Sequence, residues 1–539
     1  MKFLATLTVL SSLSALSDAK ERRGRVADVH LGKRQSTQAT YQEHTIHQPV
    51  DHLHHEARYE PHTNATFSQR YFFDATYYKP GGPVLLYIGG ETSGESRFSN
   101  LQNGLIKILA EATGGLGVIL ENRYYGKSWP TEDSSTDNLR FLTTDQTIAD
   151  NAFFAKHATF PGVNGNESLN APHTPWIMYG GSLAGGQVAF TLKTYNELFA
   201  GGIAASAPAI AKWEYPSWYN PILKYGPSDC ISRIVGIIDK IDEVIDSGNS
   251  AAIQQVKEVF GLGPVSDIRD FAQAISYPLG GPFDYPTGTW QELNWNPPDS
   301  SQDFYNFCSN ITNPSAPANI TAVDKKLANY TQGEPWTGLG NYAAYIKRVI
   351  VPLCTSGRLD TTDEGCFNTQ NATYWANTAN DAERSYLYTS CIELGAFIAA
   401  PTHGPSLISR ALNGSYMQSW CHYSFPPGTY SSIPSRPDTN LINRYGGVNI
   451  SAPRLALIDG EADVWVDLTY HSHEKKGIVV SSEEHPSYLI AGAGHHWDSS
   501  PRTGVKSVAD EPDYIREAHE WEIRTVKKWV SGWKGKGGY

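Results

Sequence analysis

The chain has 539 residues, 40% of them hydrophobic, with 43 basic against 55 acidic side chains and a formal net charge of −12. It is longer than the roughly 250–300 residues over which one hydrophobic core grows, so a second domain or a large insertion is expected. The acidic balance argues against nucleic acid or an anionic membrane as partner, since a negative surface attracts neither.

The first residues read as an export signal. Lys2 gives a short basic region, residues 3–16 an apolar one, and Ser17 and Ala19 are small enough for a cleavage site. The apolar run is shorter than the about 20 residues a bilayer span needs, and no later charge-free run reaches that length. Residues 1–19 are therefore expected to be a signal peptide. Residues 20–47 form a polar extension or propeptide, with Lys33-Arg34 as either a dibasic processing site or part of a solvated tail. Secretion is the expected fate, with a vacuolar or lysosomal location as the alternative. Two features suit that route. Eight Asn-x-Ser/Thr sequons occur, at Asn64, Asn166, Asn310, Asn319, Asn329, Asn371, Asn413 and Asn449, and they predict a glycosylated surface. The cysteines number six (Cys230, Cys308, Cys354, Cys366, Cys391 and Cys421) and none has CxxC spacing, so disulfides are favoured over a zinc site.

Along the chain, short apolar runs without alternation end in glycine or polar turns: 84–88 before Gly89-Gly90, 117–120 before Glu121-Asn122-Arg123, and 176–179 before Gly180-Gly181. Residues 202–205, 455–458 and 488–491 repeat the pattern. Such runs, separated by helix-length stretches, are strands of a parallel sheet buried on both faces. Residues 182–195 are helix-compatible. So are 512–530, where Ile515, Ala518, Ile523, Val526 and Val530 share a face. The middle of the chain is different. Ile231, Ile234, Val235, Ile238, Ile241, Val244 and Ile245 keep helical spacing until Ser247-Gly248-Asn249 ends the run, and all six cysteines lie between 230 and 421. The predicted organisation is an α/β sheet domain over 48–225 and 440–539, interrupted at 226–439 by a largely helical, disulfide-containing cap.

The segment Tyr179-Gly180-Gly181-Ser182-Leu183-Ala184-Gly185-Gly186 places a serine between a strand and a helix on a glycine turn, which describes a nucleophile elbow. Small neighbours let the helix approach the strand, and the serine hydroxyl stands near the helix N-terminus, where negative charge is favoured. Ala184 replaces the last glycine of G-x-S-x-G. In an α/β-hydrolase fold the acid and then the base follow the serine, each after a late strand. Asp463, in Asp459-Gly460-Glu461-Ala462-Asp463, and His495, in Gly494-His495-His496, meet that order. Asp459, Glu461 and Asp467 are rival acids, and His496 is a rival base. The oxyanion donors would be the backbone of Leu183 and of the loop Gly89, Gly90, Glu91.

These residues carry a resemblance. Phe67-Ser68-Gln69-Arg70-Tyr71, Glu121-Asn122-Arg123-Tyr124-Tyr125-Gly126, Leu142-Thr143-Thr144-Asp145-Gln146, Gly180-Gly181-Ser182, Gly460-Glu461-Ala462-Asp463-Val464-Trp465 and Gly494-His495-His496 stand in the order found in the proline-specific serine peptidases. That family includes lysosomal Pro-X carboxypeptidase, dipeptidyl peptidase II and fungal prolyl endopeptidases. The resemblance runs from about residue 41 to the C-terminal helix. It implies a Ser182–His495–Asp463 triad, a helical cap, acidic working conditions and cleavage after proline. It also implies a Cys230–Cys391 bridge and, with ordinary core packing as the alternative, Trp465 as a wall for the proline ring. Two departures stand out. Leu183 occupies a place usually aromatic, and Val464 stands where the family has proline.

The expected chemistry is acyl transfer to Ser182 with peptides or proteins as substrates, and no metal or organic cofactor is called for. A secreted carboxylesterase or lipase on the same scaffold is the alternative, and a non-catalytic hydrolase-like binding protein the third reading. The cleavage mode (exopeptidase or endopeptidase) and the oligomeric state, a homodimer included, are left open by the residues.

Overall fold

The computed structural model describes residues 40–163, 168–281, 288–353, 367–477 and 479–535. The expected signal peptide, Lys33-Arg34, Asn166, Cys354 and Cys366 lie outside the described residues.

Ten strands occur among the described residues: β1 His44–Pro49, β2 Thr66–Asp74, β3 Val84–Ile88, β4 Leu116–Leu120, β5 Trp176–Gly181, β6 Gly201–Ala205, β7 Lys212–Glu214, β8 Gly395–Phe397, β9 Leu455–Gly460 and β10 Ser487–Ile490. Eight form one sheet in the order β1-β2-β4-β3-β5-β6-β9-β10. From β4 to β10 every pairing is parallel, and β2 joins β1 and β4 antiparallel. β3, β4, β5, β6 and β9 are buried along their whole length, because helices cover both faces of a parallel sheet. This is the α/β-hydrolase fold.

The first strand corrects one expected boundary. β1 starts at His44, so His44 to His47 belong to the sheet and not to an extension ending at 47. Its polar composition hid it: only one of its residues is fully buried, and pairing with β2 satisfies its backbone. His44 stacks on Tyr71 and Phe73, with centroids 5.4 and 4.8 Å apart.

Ion pairs buried beneath the sheet edge hold the loops that surround it. Arg123 is fully buried, binds Asp150 through Nε and Nη2 at 2.6 and 2.7 Å, and donates to the carbonyls of Val50 and Phe141. Glu121 accepts from Arg70, Ser128 and the amides of Gly94 and Lys127. A buried charge is tolerated only with partners of this number. The helix Asp513–Gly532 packs on the sheet, and its Trp529 lies so close to Gly201 of β6 that a Cβ there would meet the indole at 2.3 Å.

Between β6 and β9 the chain is largely helical. Helix Ser228–Asp246 carries most of the predicted apolar stripe: Ile231, Ile234, Ile238, Ile241 and Val244 are buried with Cys230 and Ile237, while Val235 and Ile245 are only half-buried. β7 and β8 pair in parallel, tying the start of this region to a segment near its end. The disulfides correct the expected Cys230–Cys391 bridge. Cys230 joins Cys308, linking helix Ser228–Asp246 to helix Asp303–Ile311, and Cys391 joins Cys421 on helix Gly414–Ser424. A disulfide requires Cα atoms about 4.4–6.8 Å apart. Which helices pack side by side decides that distance, and position along the chain does not reveal it.

Candidate active site

The site is built where β5 meets helix Leu183–Tyr195. Between them Ser182 adopts φ 58°, ψ −131°, a conformation that costs an L-residue about 1–3 kcal/mol. Packing holds it there. A Cβ on Gly180 would lie 2.4 Å from the Ala184 carbonyl oxygen, and one on Gly185 would lie 2.8 Å from that of Ala205. The two glycines let helix and strand touch, so the turn is sharp and the serine stands clear of the sheet.

Asp463 and His495 converge from the loops after β9 and β10. The Nδ1–H of His495 faces both carboxylate oxygens of Asp463 at 3.0 Å, and both side chains are buried. The Asp463 Oδ1 also accepts from the Trp465 amide at 2.9 Å, which fixes the carboxylate plane. Burial disfavours a charged imidazole, but the Asp463 carboxylate, with Glu91 and Glu292 further away, more than offsets it and the His495 pKa is raised. The Nε2 of His495 is buried and makes no hydrogen bond, to Ser182 or to any other group, among the described residues. The histidine loop nevertheless reaches the elbow: a Cβ on Gly181 would lie 3.2 Å from the His496 ring, and the His495 and His496 rings are 4.5 Å apart.

The rival residues have other partners. Asp459 holds His471 at 2.6 Å, Asp467 holds His473 at 2.8 Å, and Glu461 accepts from the Gly492 amide. His496 donates its amide to Ser206 and pairs Nδ1 with Ser499; burial, His495 and Arg97 push its pKa well below the ordinary value.

A cleft opens over Ser182. Glu91, Leu183 and Trp465 line it beside Pro208 and Leu468 from the sheet loops. The Gly89 amide is taken by the Leu120 carbonyl, whereas Leu183 opens a helix whose first amides lack intrahelical acceptors. Gly90, at φ 73°, faces Ala184 across the elbow. Trp465 stacks on Tyr215 with rings 5.5 Å apart and nearly parallel, and its Nε1 donates to Gln291 at 2.8 Å.

A family model described as "Serine carboxypeptidase S28" matches residues 48–509. The chain belongs to this family. A "Probable extracellular serine carboxypeptidase" of Arthroderma benhamiae is 37% identical over 517 residues, covering 93% of this chain and 69% of that protein. "Serine protease vicPb" of Bipolaris victoriae is 28% identical, covering 90% and 88%. The "Thymus-specific serine protease" of Mus musculus is 24% identical, covering 81% and 79%. The S28 match extends over the helical region as well as the sheet.

Within this S28 peptidase, sequence reasoning missed the part of the cleft wall that comes from the insertion: Gln291, Tyr386, Leu394 and Ala396. No spacing or motif marks them, because they meet Ser182 only through the fold. Of the sequon asparagines, Asn64, Asn319, Asn329, Asn413 and Asn449 are exposed, and Asn310 and Asn371 partly so. Among the described residues no helix is long and apolar enough to cross a membrane.

Proposed function

We propose that this S28 serine peptidase is secreted and glycosylated at its sequons, and that it hydrolyses peptide bonds on the carboxyl side of proline through Ser182, His495 and Asp463. The observation that carries the reading is the buried Asp463–His495 pair, whose free Nε2 belongs to a loop packed against the Ser182 elbow. His495 takes the Ser182 proton as Oγ attacks the carbonyl carbon. Asp463 holds the imidazole in the tautomer with Nδ1 protonated and stabilises the imidazolium. The amides of Leu183 and of Gly90 or Glu91 receive the oxyanion. His495 then protonates the leaving nitrogen, and water, activated the same way, releases the acyl group from Ser182.

The proline preference rests on the cleft. Trp465, braced by Tyr215 and Gln291, offers a rigid aromatic face, and Leu183, Pro208, Leu468, Leu394 and Ala396 complete an apolar recess. A pyrrolidine ring suits such a surface. The extended name of the Arthroderma relative and the N-terminal apolar run both favour export. Family membership favours peptide bonds over the simple esters of the alternative reading.

Ser182→Ala tests the proposal. It should lower kcat/KM on a proline-containing peptide by about 10⁴-fold or more and abolish labelling by a fluorophosphonate. Retained turnover, or labelling elsewhere, would refute it.

A further inference from the structure

The geometry points to Arg97 as a positioning residue of the oxyanion site, one that holds the peptide between Gly89 and Gly90 in the orientation offering the Gly90 amide to the substrate. The inference rests on the Ser182 reading above and starts from two adjacent glycines. Gly89 and Gly90 follow β3, and Gly90 sits at φ 73°. Glycine has the widest backbone freedom, so a peptide unit between two glycines turns over against the least steric resistance. Turned over, it would aim a carbonyl oxygen where an N–H must stand and repel the oxyanion it should receive.

Arg97 opposes that turn. Its Nε donates to the Gly89 carbonyl at 2.9 Å. The peptide is planar and trans, so its carbonyl and its N–H point opposite ways, and fixing one fixes the other. The Gly89 amide already serves the Leu120 carbonyl at 2.8 Å, whereas the Gly90 amide has no acceptor among the described residues. The Arg97 Nη2 and the Ala184 Cβ lie 3.4 and 3.5 Å from where a Gly90 Cβ would stand, so the guanidinium reaches the contact between this loop and the elbow helix.

The rest of the loop is anchored without Arg97. The Glu121 carboxylate, paired with Arg70, takes the Gly94 amide at 2.8 Å, and the Ser93 hydroxyl takes the Glu95 amide at 3.3 Å. Removing the Arg97 side chain should therefore free one peptide and spare the fold. The charge contributes too. Arg97 forms no ion pair among the described residues, and its field reaches buried His496, where it adds to the lowering of that pKa. Glu91 lines the cleft one residue after Gly90, and a cation beside Gly90 offsets that negative charge where the oxyanion forms.

The experiment separates the oxyanion from the rest of the substrate. It applies three probes to the native enzyme and to Arg97→Ala, Arg97→Gln and Arg97→Lys. The first is a 4-nitroanilide cleaved after proline, and the second is the matching boroproline peptide, whose tetrahedral adduct with Ser182 mimics the oxyanion. The third is the matching acyl-pyrrolidide, which has no carbonyl to attack. Arg97→Ala should lower kcat about 10²–10³-fold with KM unchanged, the loss expected for one oxyanion donor. Affinity for the boronate should fall by a similar factor, and affinity for the pyrrolidide should hold. Arg97→Gln, a donor without charge, and Arg97→Lys, a charged donor, should each recover part of the loss, and both give the comparison with a smaller change in packing. Undiminished boronate affinity in the variants, or an equal loss for the pyrrolidide, would overturn the inference while leaving the Ser182 reading intact. A native enzyme that neither cleaves the anilide nor binds the boronate would defeat that reading, and the inference with it.

Discussion

The sheet domain and the helical insertion contribute to the same cleft by opposite routes. In the sheet, function follows the chain. β5, β9 and β10 each lead into one residue of the proposed triad, Ser182, Asp463 and His495, and parallel neighbours bring their carboxyl ends to one edge. In the insertion nothing of the kind happens. Gln291, Tyr386, Leu394 and Ala396 come from separate stretches with no shared motif, and they reach the cleft because helices, two disulfides and the β7–β8 pair stack them there. Chemistry placed on strand ends tolerates little change, whereas walls assembled by packing can be remodelled.

Four experiments would sharpen or break that contrast. The largest effect is expected from Asp463→Asn. Losing the carboxylate frees His495 to take the wrong tautomer, and kcat/KM should fall about 10⁴-fold with the thermal transition little changed. A modest loss would remove Asp463 from the proposed triad. Next comes the Cys230–Cys308 bridge, which closes a 78-residue separation within the insertion. Replacing both cysteines with alanine should cost about 2–5 kcal/mol, read as a lower melting temperature. The insertion should loosen first in hydrogen exchange while the sheet stays protected.

The third experiment probes the seam between the two regions. Glu393, just before the cleft residue Leu394, is buried and accepts from the Thr144 amide and hydroxyl at 2.8 and 2.6 Å, at the start of a sheet-domain helix. Burial pushes its pKa up to about 7 from an ordinary 4.5. Between those values the folded chain holds a proton that the unfolded chain has lost, so this group's contribution is full below pH 4.5 and declines as pH rises to about 7. The change is about 3 kcal/mol. Glu393→Gln should flatten stability against pH across that window, and an unchanged slope would show that the carboxyl does not titrate there. The smallest effect is assigned to Trp465→Ala, which removes the stacked wall. KM for a proline peptide should rise about 10–100-fold with kcat less affected, equivalent to about 1.4–2.7 kcal/mol. Equal changes for proline and alanine substrates would mean the indole is ordinary core.

How much could be read in advance differs in the same way. The six parallel strands were legible as unbroken apolar runs, which burial on both faces produces in all of them but β10, and the helix Leu183–Tyr195 and the C-terminal helix were legible from helix-compatible stretches. β1 and β2 were not, since an edge strand such as β1 keeps polar residues outward and a run like Phe67-Ser68-Gln69-Arg70-Tyr71 looks unlike a buried strand. Arg70, Glu121 and Arg123 drew notice as motif residues, and in the fold they form the buried ion pairs that shape the loops around the site. Choosing Asp463 over Asp459 and Asp467 took the order of the chain plus a resemblance. The structure adds a physical ground, since the other two carboxylates already hold His471 and His473.

By itself, the sequence determined that this is an α/β chain with a serine on a strand-to-helix glycine turn, an aspartate and a histidine following it in α/β-hydrolase order, and a cysteine-bearing insertion. Those features are local: the spacing of apolar residues and the glycines of one turn decide them. Only the tertiary structure decided which cysteines meet and which insertion residues wall the cleft. Each of these depends on distances between segments far apart in the chain, and helix packing sets those distances.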